Sequence, residues 1–129
     1  MDGKALYRRF VDEAVVGGDL AVVDELFAPD AVLPAQGDLA GLRAQLAAQK
    51  AGLDISVRYE HQFADGDWVI THMTLTIAMI GEFMGQSPTD KIATVPEVEA
   101  IRVRDGRIAE MWSVLDFAGG MHQLGLRVP

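Results

Sequence analysis

Two Asp-Gly dipeptides, each set between stretches long enough to be strands, constrain this chain more than any other feature. Ahead of Asp65-Gly66, Ile55, Val57, Tyr59, His61 and Phe63 alternate with Ser56, Arg58, Glu60 and Gln62, the period of a half-buried strand. Behind it, Trp68 to Ile80 is rich in threonine and β-branched residues, which suit a pleated, half-buried surface. Its odd positions Val69, Met73, Leu75, Ile77 and Met79, broken only by Thr71, are assigned to the interior. Asp-Gly between such runs is a two-residue hairpin signal, because both central residues must take positive φ. Asp105-Gly106 repeats the device between Ile92–Arg104 and Arg107–Leu115, and the loop Gly81–Asp90, with two glycines and Pro88, joins the hairpins.

Helical patterns precede the sheet. From Lys4 to Val16, Leu6, Phe10, Ala14 and Val15 recur at helical spacing until Gly17-Gly18, which predicts an amphipathic helix. Asp19 stands where an N-cap belongs, ahead of Leu20, Val23, Leu26 and Phe27 on the face of a short second helix before Pro29. Ala31–Pro34 reads as a brief extended segment and Gly37–Gly41 as a loop, followed by an alanine-rich third helix from Leu42 to Lys50. Helices first and a curved antiparallel sheet afterwards define an α+β domain, with helices covering one face of the sheet. Inward strand positions would line a pocket at the open end of the curve.

The 129 residues suit one domain spanning 1–129, with a half-apolar composition sufficient for a core around a pocket. No apolar run reaches the ~20 residues needed to cross a bilayer, and MDGKALYRRF lacks the pattern of a signal peptide, so a cytoplasmic protein is expected. Cysteine is absent and the three histidines are scattered, so thiolate chemistry and metal-ligand spacing are not expected. A formal charge of −8 repels phosphate backbones and anionic membranes, and points instead to a small neutral or apolar ligand.

Taken in order, GGDLAVVDELFAPDAV, LDISVRYEHQFADGDWVI, GEFMGQSPTDK and VRDGRIAEMWSVLDFAGGMHQLGL resemble the SnoaL-like polyketide cyclases of the nuclear transport factor 2-like superfamily. The resemblance implies a cone-shaped α+β fold, a homodimer, a deep apolar pocket, no cofactor, and intramolecular aldol closure of polyketide chains. It also implies that Asp116, in EMWSVLD, takes the place of the family's proton-transfer carboxylate. Three places depart from the family pattern, one of them the loop, where Thr89-Asp90-Lys91 stands for the family's Thr-Gly-Lys. Met79 stands at the position of a family histidine, and Leu33 and Pro34 replace a polar residue; both make the expected cavity greasier.

Asp116 has two readings. Apolar Val114, Leu115 and Phe117 would desolvate it and raise its pKa, which suits a proton-transfer group; alternatively it caps a short helix beginning at Phe117. With Arg104 opposite Arg107, an unbroken ladder sets Glu99 against Trp112 and Glu97 against Val114, all on the face of Asp116. Two converging carboxylates would then split into acid and base, against the plainer reading of a solvated rim or an arginine partner. His61 shares the row of Tyr59 and Phe63, either as an inward base or as a satisfied buried histidine. The expected catalytic set is therefore Asp116, Glu99 and His61. The expected substrate-shaping set is Trp112, Met73, Met79, Tyr59, Leu33, Leu75, Val114 and Phe10, with ordinary core as the alternative for the methionines.

The expected activity is ring closure of a polyketide-derived substrate in natural-product biosynthesis, aldol or non-aldol such as a cycloaddition. The alternatives are an isomerase or epoxide hydrolase on the same scaffold, or a non-catalytic ligand-holding or dimerisation domain. An Asp-Arg-Asp hydrolase set is not evident, because Arg102 falls on the strand face opposite Asp116.

Overall fold

The computed structural model describes residues 2–129. Helix α1 (Gly3–Phe10) is capped by Asp2, whose Oδ1 accepts from the Ala5 N–H at 2.8 Å, and it buries Leu6, Tyr7 and Phe10. A π-helical stretch, Val11–Val16, continues it, so the helix expected from Lys4 to Val16 widens in its second half. Helix α2 (Ala21–Leu26) buries Val22, Val23 and Leu26. Asp19 accepts from the Ala21 N–H at 3.1 Å, one residue ahead of the cap position, which Leu20 occupies. Phe27 leaves that helix and opens strand β1 (Phe27–Val32), earlier than the extended segment expected at Ala31. Helix α3 (Leu39–Gly52) starts ahead of the expected Leu42 because Asp38 caps it through the Gly41 N–H at 2.7 Å.

The remaining strands are β2 (Leu53–Asp65), β3 (Trp68–Met79), β4 (Ile92–Arg104) and β5 (Arg107–Leu115), followed by helix α4 (Phe117–Gln123). They form one curved five-stranded sheet in the order β1-β5-β4-β3-β2. The α+β class expected from sequence is correct, with one change: the sheet is mixed, because β1 adds to β5 in parallel while the other pairs are antiparallel. Asp105 (φ 53°) and Gly106 (φ 74°) make the turn of the second hairpin, and Arg104 pairs with Arg107 as expected.

Two bulges interrupt the ladders, and each reverses the side on which later residues point. In β2, Tyr59 pairs with Met73 but His61 pairs with His72, so Glu60 is the extra residue. In β5, Ile108 pairs with Val103 and Glu110 with Arg102, so Ala109 is extra. Glu99 therefore faces Ser113, not Trp112, and Glu97 faces Leu115, not Val114. The odd row of β3 is inside as expected, Thr71 included. Its hydroxyl lies 3.0 Å from Gln62 Nε2, which satisfies a buried group that would otherwise destabilise the fold by about 1–3 kcal/mol. Among the described residues no helix is long and apolar enough to cross a membrane.

Candidate active site

Between the concave face of the sheet and the helices lies a cavity of about 120 Å³, far more than the ~10–15 Å³ that one water requires. Leu75, Ile77, Val95 and Met111 form its sheet wall, and Phe10, Leu42 and Leu46 its helical wall. Helix α4 folds back over the sheet so that Met121 and Leu124 close one side. Polar groups interrupt this lining: Glu97 and Glu99 on the strand floor, Asp116 just beyond Leu115, the strand partner of Glu97, and the amides of Gln36, Gln45 and Gln49.

Glu99 is buried, 7 % exposed. Its Oε1 accepts a short hydrogen bond from the Tyr7 hydroxyl and its Oε2 another from the Ser113 hydroxyl. The Tyr7 hydroxyl also lies 3.8 Å from Met73 Sδ, a much weaker acceptor. Burial raises the Glu99 pKa, and the bonds from Ser113 and Tyr7 oppose that rise. Burial first, and then the Glu99 charge, push the Tyr7 phenol well above its ordinary value, so it stays protonated and donates. Half-buried Glu97 points the same way two residues earlier on β4. It has no hydrogen bond to any described residue, and burial, then the neighbouring Glu99 charge, push it up to about 8.

Asp116 caps α4: its Oδ1 accepts from the Gly119 N–H at 2.9 Å. A Cβ at position 119 would lie 2.1 Å from Asp116 Oδ2, so the capped carboxylate requires glycine there. The carboxylate is exposed and still lines the cavity mouth; capping and facing the cavity coexist in one side chain.

The structure brings together only part of the expected site. Asp116, Glu99, Leu75 and Phe10 line the cavity. Leu33 and Met73 lie in the core without reaching it, and Met79 is buried near the other end of β3, its Sδ 3.9 Å from the Thr89 hydroxyl. Tyr59 turns to the helices, donating to Asp12 Oδ1 at 2.8 Å with the Arg8 guanidinium over its ring. The Glu60 bulge puts His61 on the outer face, where it stacks on Phe63 and His72 with the two histidine Nδ1 atoms 3.1 Å apart. The Ala109 bulge does the same to Trp112 and Val114, which are 50 % and 72 % exposed. The Trp112 indole N–H donates to Glu110 there, at 2.6 Å. Arg102 pairs with Glu110 at 3.2 Å, and neither of the two lines the cavity that Asp116 lines.

The sequence offers Tyr7 either as reaching a pocket from the first helix or as half-buried packing. Its bond to Glu99, and that of Ser113, could not be read from the sequence, because only packing shows where a helix and a strand place their hydroxyls. Sequence reasoning missed the amides. Gln36 Oε1 is buried without a hydrogen-bond partner among the described residues; an orphaned acceptor in a cavity wall suits a donor on a ligand.

The sequence model of the SnoaL-like polyketide cyclase family matches residues 5–124, and the chain belongs to that family of enzymes. It is 30% identical over 115 residues to the nogalonic acid methyl ester cyclase of Streptomyces nogalater, covering 80% of this chain and 83% of that one. The crystal structure of IdmH, a candidate polyketide cyclase from Streptomyces antibioticus, superposes with a TM-score of 0.84 at 28% identity, over 98% of this chain and 100% of that one. AclR of Streptomyces galilaeus, described as a candidate hydroxylase, superposes with a TM-score of 0.83 at 27% identity, over 98% of this chain and 83% of that one. One fold thus carries different assigned activities, and the reaction has to be argued from the site.

Proposed function

We propose that this enzyme closes a ring within a polyketide-derived substrate held in the cavity between sheet and helices. The observation that carries this reading is a largely apolar mould interrupted by three carboxyls and three amides, Glu97, Glu99, Asp116, Gln36, Gln45 and Gln49. Such a mould can fold a flexible chain into a reactive conformer, which is worth several kcal/mol of activation entropy in well-oriented intramolecular reactions. The amides Gln36, Gln45 and Gln49 suit the oxygens of a partly reduced polyketide. Asp116 stands at the mouth with one oxygen engaged by the backbone and is the rim acid/base. Glu99 is held in place at the strand floor by Tyr7 and Ser113.

Assembly of two copies belongs to the same reading. Phe63, Ile70, Val98, Trp112 and Val114 are exposed apolar side chains on the outer sheet face, an arrangement suited to a second copy. We take the site of action to be the cytoplasm.

The test is incubation with nogalonic acid methyl ester and a panel of unclosed polyketide carbonyl compounds, followed by chromatography and mass spectrometry. Conversion to a cyclic isomer of unchanged mass is expected, and a folded cavity-filling variant, Leu75→Trp, should lose it. Absence of conversion across the panel, or undiminished conversion by Leu75→Trp, would overturn the reading. Asp116→Asn, which keeps a capping side chain, should slow turnover; unchanged turnover would remove Asp116 from the chemistry.

A further inference from the structure

Resting on the cyclase reading, we propose that Glu97 is a catalytic residue: as a neutral carboxylic acid at the cavity floor, it donates a hydrogen bond to a carbonyl oxygen of the substrate. Glu99 sets the balance of protons at this end of β4. Both of its oxygens receive hydroxyl donors, Tyr7 on one and Ser113 on the other. Each hydroxyl has a single proton to give, and two such donors favour the charged form of Glu99 against the burial that raises its pKa, whereas nothing comparable favours a charge on Glu97.

Glu97 is in the opposite position. No described residue donates to it, and its strand neighbours in register are Met73 and Leu115. The titratable groups facing the cavity are Glu99 from the same strand, Tyr7 from α1 against Glu99, and Asp116 from the cap of α4; the polar groups of the remaining walls are the amides of Gln36, Gln45 and Gln49. Among the described residues no lysine, arginine or histidine lines the cavity. A second negative charge beside Glu99 would therefore be unpaired and partly desolvated, and the proton shared by the two carboxyls resides on Glu97. Burial and the Glu99 charge, which push Glu97 up to about 8, agree with that placement.

A neutral acid with no acceptor among the described residues, opening into an apolar cavity, is matched by a ligand oxygen that accepts. The ligand class is a neutral polyketide that carries a ketone, ester or conjugated carbonyl towards the floor. In an aldol closure Asp116 takes the proton from the carbon beside that carbonyl, the new carbon–carbon bond forms at a second carbonyl of the same chain, and the second oxygen takes the proton up. Negative charge passes through the first oxygen meanwhile, and a preorganised donor stabilises it. The hydrogen bond strengthens in the transition state and relaxes in the product, and Glu97 keeps its proton throughout. The wall holds no cation to balance a free enolate, so the geometry favours closure at a hydrogen-bonded carbonyl.

The experiment combines kinetics with a direct titration. In the unaltered protein, kcat should fall as pH rises above about 8. Glu97→Met should lower kcat by about 100-fold or more. Glu97→Gln retains an N–H donor, and should lose about 10-fold while the alkaline fall disappears. Carbon-13 NMR of the Glu97 carboxyl in the unaltered protein should show its proton retained to about pH 8. Turnover by a protein whose Glu97 titrates in the ordinary carboxylate range would overturn this proposal and leave the cyclase reading standing. So would a folded Glu97→Met with unchanged kcat, or an alkaline fall that survives in Glu97→Gln. Absence of ring closure by the unaltered protein would overturn the cyclase reading and this proposal with it.

Discussion

The mouth and the floor of the cavity each present carboxylates, and their surroundings put them to different uses. Asp116 is exposed and receives a backbone N–H from Gly119. Glu97 and Glu99 lie two residues apart on one strand face, where hydroxyls from α1 and β5 reach only Glu99. The donors on Glu99 favour its charged form against burial, while on Glu97 burial and the neighbouring charge both favour the proton. What decides the chemistry of an acidic side chain here is the supply of O–H and N–H groups around it.

The largest test of this contrast is the pH dependence of stability. Between the ordinary glutamate value of 4.5 and about 8, the folded protein holds a proton on Glu97 that the unfolded chain has released. Stability is therefore greatest at and below the lower bound and falls as pH rises through the window. The full shift would correspond to roughly 1.4 kcal/mol per unit; partial contact with cavity water reduces the total to on the order of 3 kcal/mol. Urea denaturation at pH 5 and pH 8.5 should show that loss, and Glu97→Gln should flatten it. A Glu97→Gln slope equal to the wild type would assign the effect elsewhere.

Tyr7→Phe comes next. It strips one donor from a buried carboxylate, so destabilisation of about 2 kcal/mol is expected at pH 8, and less at pH 5, where Glu99 can take up a proton. Equal losses at the two pH values would mean that packing, not the charge on Glu99, accounts for the effect.

At the mouth, Asp116→Ala should cost about 1 kcal/mol through loss of the α4 cap, and Asp116→Asn within about 0.5 kcal/mol. An Asp116→Asn variant as unstable as Asp116→Ala would show that its charge, as well as its capping geometry, supports the helix. The smallest effect is expected on the outer face: Trp112→Ser should change stability of the monomeric chain by less than about 0.5 kcal/mol, while shifting sedimentation toward monomer. If two copies associate as proposed, association unchanged by Trp112→Ser combined with Val114→Ser would exclude this face as the surface they share.

Much of the fold was legible. The ends of β4 and β5, the Asp105-Gly106 turn and the buried row of β3 all follow from turn chemistry and period-2 patterning. The site was legible in part. Glu99 and Asp116 line the cavity as expected, but His61, Trp112 and Val114 do not. Each of those misplacements traces to a one-residue bulge, at Glu60 or Ala109. In β5 the pattern could not reveal it, because Trp112 and Val114 are as apolar as Met111 and Leu115, and hydrophobicity gives no vote between two apolar faces.

The sequence by itself therefore determined which segments are strands and helices, where the second hairpin turns and to which family the chain is similar. Those are local matters of periodicity, capping and turn geometry. Only the tertiary structure decided which carboxylates meet which hydroxyls. That depends on ladder register and on a helix crossing the sheet, and a single unpaired residue reverses the facing of every side chain beyond it.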